Sequence, residues 1–359
     1  MRVSILGAGA IAYGAAAYLA QAGHDPMLWS PSGKSTAELA AGAPLVAVNA
    51  IEGTFPVRVA KDCADAVANA DVVMIALPGY GHKLALDQAA PHLREGQTVI
   101  VSSHASFGAL YLSKLLAARG VSVPIVVWGT TVTTGRLRSP AQVAVATVRQ
   151  KVDVATLPET AIDAGHALCT TLFGDRFVKR DGLLAIALSN LNPQNHLGIA
   201  LCNLTRMERG EQWGQGENIT PAVGRLIEAL DDERLAIAAT FGLSVRTVKE
   251  HFSLSFHVPM GTVSEMNQEM HRQGRGGFGP ATLDTRYVLE DVPFGLVPTA
   301  LLGRLSGRPA ALHEAGIAMF SAAYGRDLNA DNDLLPELGL ETMPLNEMKR
   351  LLRTGFLPS

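Results

Sequence analysis

The chain has 359 residues, of which 48% are hydrophobic and 18% charged, and its formal net charge is −3. That length suggests two domains or three, and the composition fits well-buried cores and excludes wholesale disorder. A charge so near zero excludes a general attraction to nucleic acid or to anionic membranes.

The three cysteines, Cys63, Cys169 and Cys202, match no disulfide framework and no zinc spacing, so buried thiols in a reducing compartment are expected and no metal is. Met1-Arg2 leads straight into a strand rather than into a signal peptide. No uncharged apolar run reaches the ~18 residues that a membrane span needs. A cytoplasmic globular protein is the expectation.

In chain order, residues 2–6 (RVSIL) form an apolar run that stops at glycine, as a buried parallel strand does. Residues 10–22 are alanine-rich with helical spacing, and a second apolar run covers Met27 to Trp29. Strand, glycine turn, helix and strand in succession make a βαβ unit. Further strands are predicted over the runs VVMIALP, VIVSS and VPIVV. Gln142 to Leu157 alternates with period two and is expected to be a hairpin or edge strands added to the same sheet. Past residue 180 strand-like runs give way to helical periodicity over 182–206, 220–240, 242–255 and 308–323, and His271 to Pro280 reads as a loop. The predicted fold class is α/β plus all-α: a doubly wound Rossmann sheet over 1–180 and an all-helical substrate and catalytic domain over 181–359.

The turn Gly7-Ala8-Gly9-Ala10-Ile11-Ala12 carries the first chemistry. Gly7 permits the tight turn, Gly9 lets the backbone approach a pyrophosphate, and Ala12 allows helix to pack on strand. The helix N-terminus, with Ala10 and Ile11 in its first turn, offers N–H groups to phosphate. NAD sites usually place a carboxylate about 20 residues on, at the end of the second strand, to hold the ribose 2′-hydroxyl. Here that place reads Trp29-Ser30-Pro31-Ser32-Gly33-Lys34-Ser35. Hydroxyls and a lysine, with Ser30, Ser32 and Lys34 foremost, favour the 2′-phosphate of NADP(H), with NAD still open. Pro78, which closes the VVMIALP run, joins the cofactor-binding set because open sheets bind ligands beyond their strand ends. His82 and His104 lie near other strand ends and read as surface or loop histidines, whereas Ser103 and Thr130 to Thr134 are placed to touch nicotinamide or substrate.

The second region opens with Ser189-Asn190-Leu191-Asn192-Pro193-Gln194-Asn195-His196. Asn192 and His196, four apart, share one helix face, and Pro193 starts or bends that helix. Residues 284–298 place Arg286, Glu290 and Asp291 within six residues. A carboxylate can orient an imidazole, and an arginine fork can grip a substrate carboxylate.

The GxGxxA opening, the polar helix ending in His196, the stretch Ile219-Thr220-Pro221 and the segment Thr285-Arg286-Tyr287…Glu290-Asp291-Val292…Gly295-Leu296-Val297-Pro298 together resemble the opine dehydrogenases. That resemblance implies NAD(P)H-dependent reductive condensation of an amino acid or amine with a 2-oxo acid through an imine. It implies His196 as acid/base, Asp291 as its partner, Arg286 on a substrate carboxylate and Asn192 in support. Ser30 stands where NAD-using members carry an acidic residue, and Glu211 to Asn218 lacks expected tyrosines, which leaves the amino donor open. The partners so implied are small molecules, with no nucleic acid and no membrane, and a homodimer is one assembly open to such a chain. Two other readings stand beside this one: a ketopantoate-type 2-oxo acid reductase, and a nucleotide-binding protein without catalysis. The first usually carries a lysine early in the second domain, and none occurs between Lys179 and Lys249.

Overall fold

A computed structural model describes residues 1–357 and divides the chain into two compact units, Met1–Ile186 with Asn346–Ser359, and Ala187–Leu345. The strands, all in the first unit, are β1 (Arg2–Leu6), β2 (Asp25–Trp29), β3 (Leu45–Asn49), β4 (Gly53–Phe55), β5 (Arg58–Val59), β6 (Val72–Ile75), β7 (Thr98–Val101), β8 (Ile125–Trp128), β9 (Thr133–Ser139), β10 (Gln142–Val148), β11 (Val152–Leu157) and β12 (Phe177–Lys179). Eight of them form one sheet in the order β12-β11-β8-β7-β6-β1-β2-β5. From β5 to β8 the pairing is parallel, with Ile5 opposite Leu28 on one side and Met74 on the other. The chain order reverses between β1 and β6, so the crevice beyond their carboxyl ends is the topological switch point where such sheets bind ligands.

Central strands such as β6 (VVMI) and β8 (IVVW) are buried along their whole length, which is why they read as unbroken apolar runs rather than as alternation. The stretch 142–157, expected as a hairpin or as edge strands added to the same sheet, divides between two sheets. β10 belongs to a separate four-stranded sheet, β4-β3-β10-β9, while β11 joins the large sheet antiparallel to β8. Alternation reports a half-buried strand but not which sheet holds it. Helix α1 (Ala10–Gln21) packs on β2 and also against β9 and β10 of the small sheet. Its alanines make that double contact feasible: Ala12, Ala15, Ala16 and Ala17 are buried, and a Cβ at Gly14 would lie 2.8 Å from the Thr133 hydroxyl.

The second unit is built from helices, of which five serve the site: α2 (Gly182–Ser189, which spans the boundary), α3 (Asn192–Cys202), α4 (Pro221–Thr240), α5 (Val263–Arg272) and α6 (Arg286–Leu289). α7 (Val297–Leu305) and α8 (Ala311–Tyr324) complete its core. Its only strand-like pairing among the described residues is an isolated bridge, Gly214 with Phe278. Arg234 of α4 is fully buried; it pairs with Asp231 at 2.6 Å and donates to the carbonyls of Leu188 and Arg246. With its charge matched and its donors used, this group ties α2 to α4 where a lone charge would be costly.

The division of the chain differs from the sequence expectation in one respect. Residues 346–357, placed there with the helical domain, pack with the first unit. Helix α9 (Leu345–Thr354) buries Met348, Leu351 and Leu352, Arg353 pairs with Glu159 at 2.6 Å, and the Phe356 amide donates to Ser113. Cys63 and Cys169 are buried as expected, but Cys202, the last residue of α3, is exposed.

Candidate active site

In the first unit the chain turns sharply as it leaves β1. Gly7 has φ +145°, its amide donates to the Trp29 carbonyl at 2.8 Å, and a Cβ there would stand 2.3 Å from the Ala76 carbonyl oxygen. Only glycine fits that conformation and that approach. Gly9 caps α1 without any side-chain bond, and a Cβ built on it would find no atom within 4 Å. The first-turn amides, Ala10 and Ile11 among them, lie at the positive end of a twelve-residue helix and receive no capping side chain from Gly9. A pyrophosphate fits there.

Beyond β2 lies a cavity of about 640 Å³ lined by Ser30, Ser32, Lys61, Asp62 and His92 among others. The two serines sit in its wall. Lys34 opens the short turn Lys34–Thr36, is exposed, and is not among the lining residues. Lys61 supplies the cavity's ammonium group. It was not singled out in the sequence because the strand before it, β5, is two residues long. Pro78 follows β6 and caps the turn Gly79–Gly81.

His82 and His104 are not surface side chains: they are 1% and 5% exposed. Burial, with a smaller contribution from neighbouring His82, pushes the His104 imidazole down to about 3, so it is neutral. Ser103, Ser106 and Phe107 all have positive φ, so the segment after β7 is strained where ligands bind in open sheets.

In the second unit α3 begins at Asn192 with Pro193 in its first turn, and Leu197, Ile199 and Ala200 are buried. Proline at that point costs nothing, because the amide it lacks would have no partner inside the helix. Gly295 holds this end in place: a Cβ there would be 2.2 Å from the Pro193 ring. One turn along, His196 donates from Nδ1 to Asp291 Oδ2 at 2.6 Å, with both side chains largely buried. Asp291 immediately precedes a π-helical turn, Val292–Leu296, a local widening common at functional sites. An ionised carboxylate only accepts, so Nδ1 carries the proton and Nε2 is left as the acid/base position.

Two residues to which the sequence reading gave no role complete the cluster. Tyr287 stacks on the His196 imidazole with centroids 3.5 Å apart and planes at 9°, and its hydroxyl donates to Gln215 Oε1 at 2.6 Å. Burial first, and the Asp291 charge second, push the Tyr287 phenol up to about 12, so it remains a donor. One signal was available: Tyr287 and Asp291 are four apart, a helical spacing that puts them on one face. Arg286 is paired with Glu290 through Nε, with its own side chain 69% exposed. Asn192 is exposed on the His196 side of α3, and its amide donates to Asn190. The fold thus brings His196, Asp291, Tyr287 and Gln215 into one bonded cluster, with Arg286 and Asn192 on adjacent turns.

Residues 179–324 match the family model described as NAD/NADP octopine/nopaline dehydrogenase, alpha-helical domain, and residues 3–159 match that of ketopantoate reductase PanE/ApbA. The opine dehydrogenase of Arthrobacter sp. (strain 1C) is 34% identical over 346 residues, covering 94% of each chain. Among solved structures, octopine dehydrogenase with NADH and L-arginine is 16% identical with a TM-score of 0.79 over 98% of both chains. Yersinopine dehydrogenase with NADP+ bound is also 16% identical, with a TM-score of 0.70 over 96% of this chain and 99% of that one. These likenesses agree with the fold assigned from the sequence, a Rossmann unit followed by a helical one. The chain belongs to the opine dehydrogenases, a family of NAD(P)-dependent oxidoreductases.

Proposed function

We propose that the protein joins an amino acid or amine to a 2-oxo acid by NADP(H)-dependent reductive condensation, with His196 as acid/base and Asp291 as its orienting carboxylate. The single observation that carries this reading is the His196–Asp291 bond of 2.6 Å, which leaves Nε2 for the substrate. The nicotinamide, when bound, supplies the hydride that reduces the imine carbon.

The protein's own groups govern the proton. His196 holds one at Nε2 and delivers it to the oxygen of the amine–oxo acid adduct as water leaves. Asp291 keeps Nδ1 protonated through this step and balances the imidazolium charge. Positioned groups of this kind commonly contribute 10²–10⁴-fold. Arg286 would turn from Glu290 to a substrate carboxylate, exchanging one ionised partner for another. Asn192, one turn before His196, is placed to support the same substrate.

Gly7, Gly9, Ala10 and Ile11 would hold the pyrophosphate, with Pro78 bordering the crevice. Ser30, Ser32 and Lys61 would hold the 2′-phosphate, because no carboxylate ends β2 and the Asp62 carboxylate in the same cavity is engaged in accepting from the Asp65 amide. Lys34 is left to assist from the rim of that cavity. The deciding experiment is His196→Ala. NADPH binding, followed by nicotinamide fluorescence, should survive while turnover falls by at least ~100-fold; near-normal turnover would remove His196 from the chemistry.

A further inference from the structure

We propose that Tyr287 is a positioning residue for His196 and links it, through Gln215, to the glycine-rich segment 274–279. This rests on the reading of His196 as the acid/base. The Asp291 bond fixes where Nδ1 points, but it leaves the imidazole free to swing about the Nδ1···Oδ2 axis, and that swing carries Nε2 off its target. A ring lying parallel at 3.5 Å blocks it from one side. The two contacts are therefore complementary: one acts in the plane of the imidazole and the other perpendicular to it. The face of a phenol also attracts an imidazolium, so the stack strengthens when the histidine carries its second proton.

Tyr287 is itself held at its far end. Its hydroxyl donates to Gln215 Oε1 at 2.6 Å, and the main-chain N–H of Gln215 donates to the Gly277 carbonyl at 3.1 Å. Nearby, the Trp213 indole donates to Pro280 at 3.1 Å, and a Cβ at Gly279 would meet that indole at 2.2 Å. The segments 213–215 and 277–280 thus form one packed pair of loops, and Tyr287 is its bonded contact with the histidine. Any rearrangement of these loops reaches His196 through the phenol.

The test uses the protein and five variants: Tyr287→Phe, Tyr287→Leu, Gln215→Ala, the double variant Tyr287→Phe/Gln215→Ala, and His196→Ala. Misplacing a reacting group by about 1 Å can cost ~100-fold, so Tyr287→Leu should lower kcat about 10- to 100-fold while the KM for the 2-oxo acid moves less than about threefold. Tyr287→Phe keeps the ring and should lose only about two- to fivefold, the worth of one hydrogen bond. Gln215→Ala should lose the same, and the double variant Tyr287→Phe/Gln215→Ala no more than either alone.

Proton NMR gives a readout independent of turnover. The ring-current displacement of the His196 C–H resonances should persist in Tyr287→Phe and disappear in Tyr287→Leu. Should Tyr287→Leu fail to fold, Tyr287→Met repeats the comparison. Wild-type kcat in a folded Leu or Met variant would overturn the inference, as would equal damage from Phe and Leu. If His196→Ala itself keeps its turnover, the acid/base reading fails. If His196→Ala is inactive while Tyr287→Leu is unimpaired, only the role of Tyr287 fails.

Discussion

At Gly7–Ala12 the groups proposed to work are main-chain amides supplied by consecutive residues, whereas around His196 they are side chains whose sequence separation reaches 95 residues. The first site depends on backbone conformation and on the absence of bulk, to the point that Gly7 admits no Cβ at all. The second depends on the identity of each side chain and on the packing that brings them together. Backbone sites therefore fail through geometry and side-chain sites through chemistry, and mutations can tell the two apart.

Asp291→Asn is expected to give the largest effect and to sharpen that contrast. It keeps the shape but presents a neutral partner to His196, so kcat/KM should fall about 10²–10⁴-fold with NADPH affinity and melting temperature nearly unchanged. A loss of stability equal to the loss of rate would break the contrast, because the cluster would then be structural. Gly7→Ala acts at the other site. It forces a Cβ against the Ala76 carbonyl at φ +145°, and should cost about 3 kcal/mol or more of stability in urea unfolding. An Ala variant that unfolds like the parent would show that this turn is less constrained than its geometry implies.

A smaller effect concerns pH. His104 sits near 3 when folded and near 6.5 in an unfolded chain, so between those values the unfolded state binds more protons. Its contribution is complete above about pH 6.5 and is lost as pH falls towards 3. Lowering the pH from 7 to 4.5 should remove about 2–3 kcal/mol of stability on this account, and His104→Gln should flatten that part of the curve. An unchanged slope in the Gln variant would assign the acid sensitivity elsewhere. The mildest change is Ser30→Asp, which should shift the ratio of NADPH to NADH affinity about tenfold towards NADH, as measured by fluorescence titration. A ratio that does not move would place the 2′-phosphate away from β2.

The same contrast explains what could be read before the fold was known. The βαβ opening was legible because its strand, turn and helix are local, and the switch from strands to helices near residue 180 was legible because periodicity is local too. His196 and Asp291 stood out as members of a polar helix face and a charged cluster, but only the resemblance to a family gave them paired roles, since nothing in either segment names the other. Tyr287 was read only as part of a motif and Gln215 was given no role, because a stacked ring and a 2.6 Å bond across 72 residues do not show in local spacing. Lys61 was missed for a different reason: β5 is too short to announce a strand end. The segment 142–157 shows the limit of alternation, which located β10 and β11 but could not assign them to different sheets.

The return of α9 to the first unit has a consequence for how the protein is made. The cofactor-binding unit is assembled from two stretches of chain, 1–186 and 346–359, with 159 residues of helical unit synthesised between them. During translation the Rossmann sheet can form early, but the surface that receives Met348, Leu351 and Leu352 stays uncovered until the helical unit has been made. A nascent chain in that interval exposes a sticky apolar surface, and a fragment ending at residue 186 would keep that exposure permanently.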